Sequence, residues 1–261
     1  MSLKAIDRKK TILELLNEHG KVKTIDLVKA IGVSSESVRR YLDELESENK
    51  LRKVYGGAIK INNVMEEPEH VKRNNININE KKKIAKLAAT FVEDNDCIVI
   101  DEGTTCLQIV EHIVDRKNLT VVTSSCTVLV ELIRYKNMGV FNGEIVFIGG
   151  KINAKHERAS GEIAIDVMKN IFVDKAFISV EGLLDTFGIS SADESKALLS
   201  REYVKNSRES IVLCDSSKIG MASTYKIADF CYINMVVSEE DMPEELVTIF
   251  EKFGVKWVVS E

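Results

Sequence analysis

The apolar residues of the first sixty positions recur at helical spacing. Ile12, Leu15 and Leu16 mark one face of a helix between Asp7 and Glu18, and Gly20 closes it as a C-terminal stop. Thr24 offers an N-cap hydroxyl to Ile25–Ile31, with Asp26 in the positive first turn, and Gly32 supplies the tight turn that follows. Ser34 or Ser35 caps a third helix, on which Val38, Leu42 and Leu45 form one stripe at i, i+4 and i+7. Two short helices joined through glycine make a helix-turn-helix pattern. With that stripe turned inward, Ser35, Glu36, Ser37, Arg39 and Arg40 occupy the outer faces of the half that such a helix inserts into the major groove. Arg39 and Arg40 can each fork onto guanine or bind phosphate, and Ser35 and Ser37 suit phosphate or base edges. The β-prone stretch Leu51-Arg-Lys-Val-Tyr-Gly-Gly-Ala58 reads as a small wing whose Arg52, Lys53 and Tyr55 lie where backbone phosphates are met.

Residues 61–78 are polar, carry Pro68 and an Asn-rich run, and read as a linker between domains at 1–60 and 79–261. Asn79 is the expected N-cap of the helix that follows. Beyond it, apolar β-branched runs alternate with helical stretches: Cys97–Ile100, Leu119–Val122, Ile145–Ile148, Ala176–Val180, Ile211–Cys214, Cys231–Val237 and Lys256–Ser260. Near-continuous apolar strands separated by helices predict a largely parallel sheet covered on both faces.

Ligands of such sheets bind beyond the strand C-termini, so the loops there hold the candidate chemistry. They are Asp101-Glu-Gly-Thr-Thr105, Thr123-Ser-Ser-Cys126, Gly149-Gly150 and Asp215-Ser-Ser-Lys-Ile-Gly220. Singly, each is an ordinary helix cap, turn or surface ion pair. Together on one edge they can hold a small polyhydroxylated anion, with N–H groups and Lys218 on phosphate and Asp215 on hydroxyls. The charged runs Lys81–Lys83 and Glu239–Asp241 read as solvated surface.

Charge separates the two parts. Net charge is −5, yet residues 1–60 carry 13 Lys+Arg against 9 Asp+Glu, and the remaining 201 carry 23 against 32. A basic head on an acidic body fits DNA binding by the first part only. Five scattered cysteines, without C-x-x-C spacing, and four isolated histidines give no basis for a disulfide framework, a metal site or another cofactor. No apolar run approaches the roughly 18 residues of a membrane span, and the N-terminus has no secretory h-region, so a cytoplasmic protein is expected.

Val33-Ser-Ser-Glu-Ser-Val-Arg-Arg-Tyr-Leu42 with Leu51-Arg-Lys-Val-Tyr-Gly-Gly-Ala58 resembles the DeoR-type winged helix-turn-helix, V-S-x-x-T-[IV]-R-R-D-L then L-x-R-x-H-G-G-A. Ser37, Tyr41 and Tyr55 depart from it. The body resembles the same family's effector domain, related to the ribose-phosphate isomerase and glucosamine-phosphate deaminase fold. Its pattern D-[SG]-G-T-T, T-V-V-T-N-S, G-G, D-x-[ST]-K-x-G is met by Asp101–Thr105, Thr120–Ser125, Gly149-Gly150 and Asp215–Gly220, with Glu102 and Ser124 as departures. The resemblance implies a winged helix-turn-helix joined to a Rossmann-like α/β domain. Its effector site would comprise Asp101, Gly103, Thr104, Thr105, Ser124, Ser125, Gly149, Gly150, Asp215 and Lys218. Glu181-Gly182 and the helix of Glu194 and Lys196 would line the same cleft. The implied protein is no enzyme but a regulator, expected to repress sugar or polyol genes, to bind operator DNA as a homodimer or homotetramer and to answer to a sugar phosphate. The rival readings are a sugar-phosphate isomerase or deaminase with a DNA-binding appendage, using Asp101, Glu102, Glu181 or Asp215 as base, and a structural scaffold.

Overall fold

The computed structural model describes residues 3–47, 50–54, 56–60, 73 and 76–260. Contacts divide the chain into two compact units, Met1–Met65 and Glu66–Glu261.

The first unit contains α1 (Leu3–His19), β1 (Lys21–Lys23), α2 (Thr24–Ile31), α3 (Ser35–Ser47), β2 (Leu51–Val54) and β3 (Gly57–Lys60). Gly20 ends α1 at φ 72°, its N–H on the Leu16 carbonyl at 2.9 Å, and Gly32 ends α2 in the left-handed region. Ser34 caps α3, its Oγ accepting from the Ser37 N–H at 3.3 Å. Thr24 is not a cap as expected: it is the first residue of α2, and its N–H is taken by the Gly56 carbonyl at 2.7 Å, so the wing turn satisfies that helix end. Ile12, Leu16, Leu27, Val38, Leu42, Leu45 and Leu51 are buried together, with Tyr41 added to the expected stripe. The strands form an antiparallel sheet in the order β1-β3-β2. A Cβ on Gly57 would stand 2.0 Å from the Val22 carbonyl of β1, which is why the second glycine of the pair has no side chain.

Among the described residues, the second unit is built on a seven-stranded parallel sheet in the order β15-β14-β12-β9-β4-β5-β6. Its strands are β4 (Cys97–Ile100), β5 (Thr120–Thr123), β6 (Glu144–Phe147), β9 (Val173–Ser179), β12 (Ser207–Leu213), β14 (Met235–Ser238) and β15 (Lys256–Val259). Each expected run contributes one strand. The Cys231 run begins later than expected, because residues 230–232 form a 3₁₀ turn and pairing starts at Met235. Alternate strand residues feed opposite cores: Val99, Ala176, Ile178, Val212 and Val236 pack on one face, and Ile98, Ile100, Phe177, Ile211 and Val237 on the other. On the second face lie α4 (Ile78–Ala89), α5 (Thr104–Leu107), α6 (Val110–Ile113) and α7 (Cys126–Asn137). The first is covered by α8 (Glu162–Met168), α9 (Glu194–Lys205) and α10 (Glu244–Phe253).

Short antiparallel pieces complete the unit: a β7 (Lys151–Asn153) and β8 (Arg158–Ser160) hairpin, and a sheet of β10 (Gly182–Leu184), β11 (Gly188–Ser191) and β13 (Tyr225–Ala228). Helix α4 starts at Ile78 and Asn77, not Asn79, precedes it; most of the expected linker, 61–72 with 74 and 75, lies outside the described residues. From β4 the chain runs outward through β5 and β6, then returns to pair β9 on the other flank of β4. That reversal puts a switch point between the C-terminal ends of β4 and β9.

Candidate functional site

On α3 the inward set Val38, Tyr41, Leu42 and Leu45 leaves Ser35, Glu36, Arg39 and Arg40 exposed and Ser37 half-buried. Ser37 belongs to the cap, its Oγ 3.1 Å from that of Ser34. Arg40 lies over the Tyr41 ring at 5.6 Å and 3.9 Å from Glu44, while Glu44 also holds Lys9 at 2.8 Å. A side-chain hydrogen bond from Arg8 holds the Tyr41 phenol below its usual ionisation range. In the wing, Arg52 is exposed, whereas Lys53 is tied back to α3 by an ion pair with Asp43 and by its N–H on Glu46 Oε1 at 2.7 Å. Tyr55 lies outside the described residues. Arg39, Arg40 and Arg52 therefore stand exposed, and Lys53 is already engaged.

In the second unit, four expected loops follow β4, β5, β6 and β12 on one rim of the sheet. Their residues do different things. Asp101 is fully engaged: its Oδ2 accepts from the Ser179 N–H (3.1 Å), Ser179 Oγ (3.0 Å) and Ser200 Oγ (3.3 Å), and its Oδ1 from the Glu102 N–H (2.8 Å). Burial raises its pKa, and the carboxyl clamps β4 to β9 and α9. Gly103 is needed for that clamp, since a Cβ would lie 2.2 Å from Ser179 Cβ. Thr104 and Thr105 open α5 and are buried beside it. Ser125 caps α7, accepting from the Val128 N–H at 3.2 Å, and Ser124 Oγ is bonded by the Tyr203 hydroxyl at 2.9 Å. Gly150, at φ 143°, lets the Ser160 carbonyl approach to 2.6 Å of where a Cβ would stand; Gly149 is unconstrained. Ser124, Ser125 and Gly150 serve the scaffold.

The charged chemistry gathers at the switch point. Glu102 is 1% exposed and is surrounded by Arg158 Nη1 at 2.7 Å, Arg73 Nη2 at 3.7 Å and Lys196 Nζ at 3.8 Å. Arg158, also 1% exposed, pairs through Nη2 with Asp193 at 2.8 Å, and Lys196 bonds Glu181 at 2.6 Å. Lys196 and its partners hold Glu181 down at a pKa of about 2 despite its burial. Glu102, a departure from the family pattern, thus has cations on three sides. Glu194, by contrast, faces solvent.

A second cluster adjoins it. Arg73, whose guanidinium faces Glu102 and Glu181, accepts on its carbonyl a bond from Lys81 Nζ at 2.6 Å, and Lys81 in turn feels the charges of Asp215 and Lys218. Asp215 Oδ1 accepts from Asn77 Nδ2 and the Ser217 N–H, both at 3.2 Å. Lys81 is 5% exposed and Glu239 accepts the Ser216 N–H at 2.9 Å, so neither charged run is purely solvated surface.

Arg73, Lys81, Arg158 and Asp193 were not singled out from sequence. Two signals were present for the lysines: Lys81 precedes Ile84, Ala85 and Ala88, and Lys196 precedes Leu199, Ser200 and Tyr203, at i+3, i+4 and i+7. Each occupies the buried stripe of its helix. A separate cleft of about 590 Å³, lined by Asp185, Asp229, Glu245 and Lys252 among others, lies by the segments preceding β14 and β15, the N-terminal ends of those strands. Its carboxylates outnumber its lysine, which does not suit an anion.

The family model of the DeoR-like helix-turn-helix domain matches residues 8–64, and that of the DeoR C terminal sensor domain matches residues 76–240. The chain is 30% identical over 256 residues to the uncharacterized HTH-type transcriptional regulator YgbI of Escherichia coli K12, covering 98% of each. It is 29% identical over 255 residues to the HTH-type transcriptional repressor GlcR of Bacillus subtilis, covering 98% of this chain and 96% of that one. Among solved structures, ribose 5-phosphate isomerase A of Methanocaldococcus jannaschii aligns with a TM-score of 0.40 and 18% identity over 55% of each chain. With a helix-turn-helix unit and a sensor unit matched in order, the chain belongs to the DeoR family of transcriptional regulators.

Proposed function

We propose that this regulator represses genes for uptake or breakdown of a sugar or polyol, and that a phosphorylated sugar bound at the rim of the sensor sheet changes its hold on operator DNA. The observation that carries the reading is the buried cluster of Arg73, Lys81, Arg158 and Lys196 with Glu102 and Glu181 at the switch point, in a chain whose α3 presents Arg39 and Arg40 outward. Cations there suit phosphate and carboxylates suit hydroxyls. Arg39, Arg40, Arg52, Ser35 and Glu36 form the DNA face. Asp101, Gly103, Thr104, Thr105, Gly149, Asp215 and Lys218 build or border the effector site, with Ser124, Ser125 and Gly150 as its support.

The chemistry speaks against catalysis. The four carboxylates that could serve as general base are all engaged within the fold. Asp101 is committed to four hydrogen bonds that clamp the scaffold, Glu102 is bonded by Arg158, Asp215 accepts from Asn77 and Ser217, and Glu181 is held near 2. The protein would act in the cytoplasm as a dimer or tetramer, since one small DNA-binding module supplies little specificity. The effector acts by binding the DNA-competent and DNA-incompetent states unequally.

The test is anisotropy of the full chain on a duplex that it selects from random-sequence DNA, repeated with a panel of phosphorylated sugars and polyols. One member should change DNA affinity by about tenfold or more, within the usual range of coupling energies. Turnover of a panel member with no effect on DNA would install the isomerase or deaminase reading instead.

A further inference from the structure

We propose that the free edge of β6 is an interface between two copies of this chain, the strand pairing antiparallel with itself across a two-fold axis. The inference rests on the oligomer of the reading above and assigns the surface that builds it. β6 is an outermost strand of the sheet, and among the described residues no strand lies on its far side. Glu144 and Ile148 turn their N–H groups to the Leu119 and Thr123 carbonyls, at 2.9 and 2.8 Å, with Val146 in register on β5 between them. Alternation along the strand therefore sends the N–H and C=O groups of Ile145 and Phe147 outward. Such an edge is a template for another strand, and proteins blunt it with proline, lysine, a bulge or a cover. Glu144-Ile-Val-Phe147 contains neither proline nor lysine, and its pairing with β5 runs without a register break. The edge closes only at Gly143, whose carbonyl is taken by Lys136 Nζ.

The same lysine shows which side of α7 looks over the edge. Leu129, Ile133 and Lys136 stand at i, i+4 and i+7, so one stripe of the helix lies toward β6. Ile133 is 43% exposed, and Met138 and Val140, in the turn from α7 to β6, are 62% and 43% exposed. Apolar side chains thus flank open backbone groups, as a strand-addition surface requires. The opposite edge differs: β15 opens on the exposed Lys256, and α10 beside it exposes Glu244, Glu245, Glu251 and Lys252.

The occupant is a second copy because the edge complements itself. With the axis at Val146, Ile145 of one copy exchanges both its hydrogen bonds with Phe147 of the other, and the reverse. Charge agrees with that direction. Glu144 opens β6 and Lys151 follows it, both exposed, and antiparallel pairing brings the glutamate end of one strand to the lysine end of the other. A stable dimer buries about 800 Å² per partner, more than a short edge supplies, and Ile133, Met138 and Val140 extend it.

Sedimentation of the full chain and hydrogen exchange of its amides test this together. Wild type should sediment as a dimer or larger, with the Ile145 and Phe147 amides protected about tenfold or more over the dissociated monomer. M138E and V140E place charge at exposed positions and should each raise the dissociation constant about tenfold or more. F147P removes an outward N–H, which an edge strand tolerates, and should do the same. V259E, on the opposite edge, should leave association unchanged. Thermal unfolding of each variant checks that it folds. An oligomer whose Ile145 and Phe147 amides exchange as in the monomer, or that survives M138E, V140E and F147P, overturns this interface and leaves the oligomer standing. A chain that stays monomeric overturns both. Dimerisation through β6 with no phosphorylated sugar affecting DNA keeps the interface and removes the functional reading.

Discussion

Replacing Arg158 tests the cluster at the switch point most sharply. R158M removes a guanidinium that is 1% exposed and takes away its bonds at 2.7 Å to Glu102 and 2.8 Å to Asp193. Leaving a buried charge without its partner costs about 3–5 kcal/mol. Lys196 and Arg73, at 3.8 and 3.7 Å from Glu102, remain, which favours the lower figure. E102L takes one carboxylate from Arg158, which keeps Asp193 at 2.8 Å, and also leaves Lys196 and Arg73 one partner short. It too should fall toward the lower figure. The double variant E102L/R158M removes one charge of each sign and should lie within about 1.5 kcal/mol of wild type, since an apolar pair often replaces a buried ion pair without loss. Trp257 is the chain's one tryptophan and packs edge-on to Phe250 at 5.7 Å, so its fluorescence in urea follows the sensor unit. At roughly 2–4 °C per kcal/mol for a domain of this size, each single variant should also melt about 6–20 °C lower. Additive losses in the double variant, or single losses under about 1 kcal/mol, would refute the coupling.

Other perturbations have equally definite outcomes. R39A/R40A should weaken operator binding; phosphate contacts would reduce the salt slope by about 0.9 each, and base contacts would instead relax sequence discrimination by about 1–3 kcal/mol. Unchanged affinity and slope would remove α3 from the interface. G57A should destabilise the first unit by more than about 2 kcal/mol, since its Cβ meets the Val22 carbonyl, whereas G56A, at φ 76° with open space, should cost about 1 kcal/mol. Equal losses by calorimetry would contradict that account. Glu181 binds its proton near 2 when folded and in the ordinary carboxylate range when unfolded, so its contribution is full above that range and is lost as pH falls toward 2. E181Q should flatten the acid limb of the stability profile, and an unaltered limb would rule out the Lys196 pairing.

What the sequence discloses follows from where its periodicity is strong. Runs such as Cys97–Ile100 and Ile211–Leu213 are apolar on both faces, which only a sheet buried on both sides requires, and each became part of a parallel strand. The Val38, Leu42 and Leu45 stripe set the outward face of α3 in the same way. Three-residue strands such as Lys151–Asn153 and Arg158–Ser160 alternate too briefly to signal anything, so the hairpin that delivers Arg158 was hidden. Among the loop hydroxyls, Ser125 is a helix cap, as isolated serines after strands commonly are. The setting of Glu102 was not legible because its partners come from residues 73, 158 and 196, distances in sequence that no local pattern spans. Lys81 and Lys196 were legible in principle, as lysines standing at the head of an apolar stripe.

The central claim is that one molecule couples a metabolite on the sensor rim to DNA on α3, and reciprocity gives its most direct measurement. The dissociation constant of the phosphorylated sugar identified on the panel should be determined twice by calorimetry, with the full chain free and with it saturated by operator duplex. Linkage requires the two values to differ by the same factor by which that sugar changes DNA affinity, about tenfold or more. Identical constants with and without DNA would mean that the two units bind independently, and the account of a metabolite-controlled regulator would fall.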